Sequence, residues 1–75
     1  MKHYEITLTN GGYPLVYRCS TIAEAYGCIE NLVRRTPGMY IDLSGTMEIL
    51  VDMRQGNRRR HENHHYVIVV KDGEV

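Results

Sequence analysis

The chain has 75 residues, nine Lys+Arg against nine Asp+Glu and a formal charge of zero at pH 7 with histidines neutral. At 43% hydrophobic and 24% charged residues it is too apolar for a disordered tail. Its longest apolar run, Tyr66–Val70, is far below the ~20 residues of a membrane span, and two cysteines make no disulfide scaffold.

This length predicts one small domain over residues 1–75, which buries only ~60% of the surface its unfolded form exposes. The start, Met-Lys-His-Tyr-Glu-Ile, carries no apolar signal region, so the expectation is a cytoplasmic protein with reduced thiols. Tyr4, Ile6 and Leu8 alternate with polar residues, a period of two that predicts a strand. Asn10-Gly11-Gly12 tolerates the positive φ of a hairpin turn. A second strand runs from Tyr13 to Cys19. Pro14 has no N–H for a ladder, which sets this end at a sheet edge or at the strand's start.

A helix is expected next. Thr21 with Glu24 three residues on is a capping-box pattern. Ile22, Ala25, Tyr26, Ile29, Leu32 and Val33 then recur at helical spacing. Gly27 costs ~1 kcal/mol against Ala inside a helix, and close approach to a sheet is the expected compensation. Arg34 and Arg35 suit the negative helix end, and Thr36-Pro37-Gly38 stops it.

The second half reads as strands. Met39–Leu43 is taken as a short edge strand, broken by Ser44-Gly45. Met47, Ile49, Val51 and Met53 alternate with polar Glu48 and Asp52, predicting a strand over 46–53 with the apolar residues inward. Tyr66–Val70 is a β-branched strand closed by Lys71-Asp72-Gly73. The order ββα(β)ββ predicts an α+β fold, one antiparallel sheet of four or five strands with a single helix on one face. The expected core is Tyr4, Ile6, Leu8, Leu15, Tyr17, Ile22, Tyr26, Ile29, Leu32, Val33, Met47, Ile49, Val51, Tyr66 and Ile68. The other sheet face mixes Glu5, Thr7, Thr9, Arg18, Glu48 and Asp52 with Val16, Val67 and Val69. Such a face is a candidate contact surface, a homodimer being one use of it. His3 is read as a strand surface residue.

One segment stands apart. Residues 54–65 hold Arg54, Arg58, Arg59 and Arg60 and three of the four histidines, His61, His64 and His65. Set against Glu62 the arginines give this stretch +3, so the rest of the chain sums to −3. A turn at Gly56-Asn57 would pair Val51 with Glu62, setting an apolar residue against a charge. Pairing Met53 near His64 sets Val51 beside Tyr66 and Ile49 beside Ile68, and leaves Arg54–Asn63 as a solvated loop. That second register is the expectation.

Several chemistries compete for this loop. It is a solvated charged loop guarding the strands from aggregation, an Arg-rich contact for an acidic protein surface, or a phosphate-binding patch for RNA or DNA. Zero net charge, and a sheet without an obvious stacking pair, weigh against the last. His61-Glu62-Asn63-His64-His65 spells His-Glu-x-x-His, the zinc metalloprotease pattern. That chemistry needs a helix to bring both imidazoles to one ion. In a strand, positions i and i+4 lie ~13 Å apart. A site from Cys19, Cys28 and His61 with His64 or His65 lacks any paired-ligand spacing, so no metal or other cofactor is expected. There is also no phosphate loop or nucleophile elbow, and the chain is read as a non-enzyme.

The expected function is therefore a protein–protein interaction module, with Arg54, Arg58, Arg59, Arg60, His61, His64 and His65 as its binding residues and RNA or DNA binding by the same loop as the alternative. In length and layout the chain resembles the small proteins of bacteriophages and mobile elements, anti-CRISPR proteins among them. That resemblance implies a stoichiometric inhibitor that docks on a host defence nuclease. Acidic Glu24, Glu30, Glu48 and Asp52 would then face a basic groove.

Overall fold

A computed structural model describes residues 2–8 and 14–73. Its elements are β1 (Lys2–Leu8), β2 (Leu15–Cys19), α1 (Ile22–Arg35), α2 (Leu43–Arg54), β3 (Arg60–Glu62) and β4 (Tyr66–Asp72). The four strands form one antiparallel sheet in the order β2-β1-β4-β3, so the chain's first and last long strands lie side by side at its centre. The fold is α+β. The expected Asn10-Gly11-Gly12 turn, Thr9 and Tyr13 lie outside the described residues.

Alternation on β1 and β4 works as the period of two requires. Tyr4, Ile6 and Leu8 stand opposite Val70, Ile68 and Tyr66, and all six are buried. Ala25 and Ile29 from α1 and Leu50 and Met53 from α2 close over them. The other face aligns Arg18, Glu5, Val69 and Arg60 in one row and Val16, Thr7, Val67 and Glu62 in the next. His3 belongs to this second face but is buried, contrary to the surface position expected. Its Nδ1–H donates to the Gly73 carbonyl at 3.1 Å.

α1 starts as its capping pattern dictates. The Thr21 hydroxyl accepts the Glu24 N–H at 3.1 Å, and the Glu24 carboxylate accepts the N–H of Ser20, one residue before the cap. Gly38, at φ +83°, turns the chain after it.

The single expected helix is two. The stretch 46–53 is not a strand but most of α2, and 39–42 carries no regular structure before it. Both periods are written into this segment, because Ile49-Leu50-Val51 is apolar throughout. The ends and the burial decide between them. Asp42 caps the helix by accepting the Gly45 N–H at 3.1 Å. At the other end the Gly56 N–H reaches the Met53 carbonyl and the Asn57 N–H reaches that of Asp52, with Gly56 at φ +87°, a Schellman closure. A helix buries Thr46, Leu50 and Met53 on one stripe, whereas a strand would turn Leu50 away from Met47 and Ile49. Burying Leu50 is worth ~1.5–3 kcal/mol, more than the ~1 kcal/mol span of strand propensities.

Several expectations fall with that strand. Val51 does not meet Tyr66, nor Ile49 Ile68: β4 pairs with β1 on one side and β3 on the other. Met47, Ile49 and Val51 are half-buried rather than central, and Glu48 and Asp52 lie on α2 instead of the open sheet face. Leu15 and Tyr17 lie on the exposed edge strand, not in the core.

Candidate functional site

Residues 54–65 are not one loop. Arg54 ends α2, Gly56 and Asn57 close that helix, and Arg60–Glu62 is the edge strand β3. Asn63 makes the turn into β4, its side-chain oxygen accepting the N–H groups of His65 at 2.8 Å and Tyr66 at 3.0 Å. The segment's charges are thereby sorted. Arg59 pairs with Asp72 at 3.1 Å and Arg60 with Glu62 at 2.9 Å. Arg54 and Arg58 are exposed and have no ion pair among the described residues.

Strand alternation separates the arginines from the histidines. Arg60 and Glu62 project to the open face, while His61, opposite Ile68, turns to the helix side. There His61, His64 and His65 line a cleft of about 390 Å³ with Tyr40, Ile41 and Asn63, above Thr46, Ile49 and Tyr66. The His61 and Tyr66 rings are tilted at 55° with centroids 5.9 Å apart. Burial, and then the nearby positive charge of Arg58, hold the His61 imidazole below its usual 6.5. Tyr40 beside it is 91% exposed. Tyr40 stands in the stretch expected as an edge strand, which here has no regular structure. Its signal as a contact residue lay in the Thr36-Pro37-Gly38 stop, which lifts the following residues off any regular element.

Metal chemistry finds no geometry to support it. The His-Glu-x-x-His spacing is spread over β3 and a turn, so its two ends do not share a helical face. Cys19 and Cys28 sit at the β2 side of the sheet and His61 on β3, three strand spacings or ~14 Å apart. Among the described residues no three His, Cys, Asp or Glu are grouped to hold an ion.

A second concavity lies at the opposite edge. β2 and α1 frame a groove of about 580 Å³ with Leu8, Leu15, Tyr17, Cys19, Cys28 and Leu32 as its apolar lining. Both thiols are free. Burial, with the charge of Glu24 second, raises the Cys19 thiol, and burial together with Cys19 pushes Cys28 up to about 11. Gly27 also lines the groove, and a Cβ there would touch nothing within 4 Å. This glycine therefore does not serve close approach to the sheet, as its sequence position suggested.

The described residues form a small α+β domain with one antiparallel four-stranded sheet. No described helix is long and apolar enough to cross a membrane. Compared with protein-family models, with curated proteins and with solved structures, the chain matches none.

Proposed function

We propose that this chain is a non-enzymatic docking module that engages a partner protein through the surface at the β3 end of the sheet. The observation that carries this reading is Tyr40, an aromatic side chain 91% exposed, standing beside a cleft rimmed by three histidines with Arg58 close to one of them. Tyr and Arg dominate the energetics of protein interfaces because each buries a large rigid area while retaining a polar end. The cleft supplies a shallow apolar floor in Ile49 and Tyr66, and Arg58, which has no ion pair among the described residues and lies near His61, favours a partner with carboxylates near its own apolar anchor; Arg54 stands apart at the far end of α2, where its carbonyl accepts from the Lys2 ammonium. In its most specific form the module is a stoichiometric inhibitor of a host nuclease, the role implied by the resemblance in length and layout. It acts in the cytoplasm.

The test is capture from a bacterial lysate with the wild type, Tyr40→Ala and Arg58→Glu, each checked for an unchanged melting curve. A protein retained by the wild type and lost from both variants supports the surface. Equal retention by all three overturns it. A second reading, RNA or DNA binding by 54–65, draws on Arg54 and Arg58. It predicts binding that falls steeply between low and physiological salt, and gel shifts without binding even at low salt remove it.

A further inference from the structure

At the opposite edge of the sheet, Leu15, Val16 and Tyr17 are 54%, 49% and 40% exposed on β2, a strand with β1 on one side and, among the described residues, no strand on the other. Unpaired apolar edges are templates for another strand. We propose that the occupant is a second copy of this chain, related by a two-fold axis that passes between the two β2 strands and the two α1 helices.

The helix carries the argument. α1 lies over β2 and β1, and its groove-lining residues are Glu24, Gly27, Cys28, Asn31, Leu32 and Arg35. This set is symmetric about the point between Ile29 and Glu30. A two-fold axis there sets α1 antiparallel to its copy, with Glu24 opposite the partner's Arg35, Gly27 opposite the partner's Leu32 and Cys28 opposite the partner's Asn31. Every pair occurs twice, as an isologous contact requires. Charge meets opposite charge at both ends, and the open space over Gly27 receives the largest apolar side chain of the set. Arg35 has no ion pair among the described residues, whereas its neighbour Arg34 pairs with Glu30 of its own helix.

The strand obeys the same axis. β2 is centred on Tyr17, so antiparallel pairing with its copy places Tyr17 beside the partner's Tyr17 and Leu15 beside the partner's Cys19, all on the helix side. Pro14, which could not donate to the new ladder, falls just outside it. The product is a continuous eight-stranded sheet with the β3 ends outermost. Each dimer therefore presents the Tyr40 surface twice, and the two surfaces do not compete.

Sedimentation equilibrium from low micromolar to several hundred micromolar tests this. The wild type is expected to dimerise. Arg35→Glu should weaken the dimer by about tenfold, since each reversal acts at two symmetric positions, and adding Glu24→Arg should restore it. Gly27→Leu is the sharper variant: a Cβ there meets nothing within 4 Å, the groove beyond it is open, and helix propensity rises, so the melting temperature of the monomer holds or rises while the dimer is lost. A wild type that stays monomeric overturns the proposal, including the case in which the groove takes an apolar dye that Tyr17→Lys abolishes, which assigns it to a small ligand. A dimer indifferent to Gly27→Leu and to the charge reversal also overturns it. Neither result touches the Tyr40 surface, whose variants leave this edge intact.

Discussion

The hydroxyl of Tyr66 stands 2.8 Å from that of Thr46, in a core where Tyr66 is 1% and Thr46 2% exposed. This contact ties α2 to the central strand β4 and fixes which face of the helix looks down. Tyr66→Phe leaves the Thr46 hydroxyl without that partner, and an unmet buried polar group costs ~1–3 kcal/mol. The loss should sit at the low end, because a threonine hydroxyl on a helix turns back to the carbonyl four residues earlier. Adding Thr46→Val to Tyr66→Phe should cost less than the two single changes summed, measured by urea unfolding. Strict additivity would mean the hydroxyls do not interact.

Asp42 and Gly45 form a second coupled pair. Asp42→Ala removes the cap on α2 and should cost about 1 kcal/mol of stability, read from thermal melts. Gly45→Ala would ordinarily gain about as much helix propensity, yet its Cβ would lie 2.8 Å from the Asp42 Oδ2. The new methyl displaces the cap, so the single change should bring no gain. In the Asp42→Ala background the clash is gone and Gly45→Ala should stabilise. A gain of equal size in both backgrounds would show that the cap does not occupy that space.

Asp42 also marks where the legible part of the chain ends. The first half of the chain was legible because pattern and punctuation agree there: Tyr4, Ile6 and Leu8 alternate, and Thr21 with Glu24 starts a helix whose stripe is unbroken. In the second half they conflict. Met47, Ile49, Val51 and Met53 alternate like a strand while Asp42 and Gly56 bracket a helix, and only tertiary burial of Leu50 resolves it. The histidines of the β3 end were visible as a charged, His-rich window. Their sorting from the arginines was not, because it depends on a three-residue strand and on the Asn63 turn. Pro14 marked β2 as an edge, but the exposure of Leu15 and Tyr17 was hidden, as was that of Tyr40, because exposure is a property of neighbours that alternation alone does not supply.

His61 makes stability depend on mild acid. Its imidazole is held below 6.5 when folded, first by burial and then by Arg58, so the unfolded chain binds the proton more readily. The stabilisation is complete above the unfolded value and is lost as pH falls through the folded one. Melting temperatures should therefore drop between roughly pH 7 and pH 5 by more in the wild type than in His61→Gln. Parallel curves for the two proteins would show that another group carries the acid sensitivity.

Cys28 gives the corresponding test at high pH. With its thiol at about 11, the reactive thiolate is scarce at neutral pH, and Cys19 is raised in the same sense. Alkylation of native protein near pH 8 should run about two orders of magnitude slower than that of an ordinary thiol, and unfolding in denaturant should remove the difference. Linkage fixes the accompanying stability change. A folded value above the unfolded one favours the native state at low pH, and this contribution disappears as pH climbs through about 11. Cys28→Ala should accordingly flatten the alkaline limb of the stability curve. Because Cys28 lines the β2–α1 groove, slow labelling that quickens on dilution would also report the two-fold contact, whereas a rate independent of concentration reports burial within a single chain.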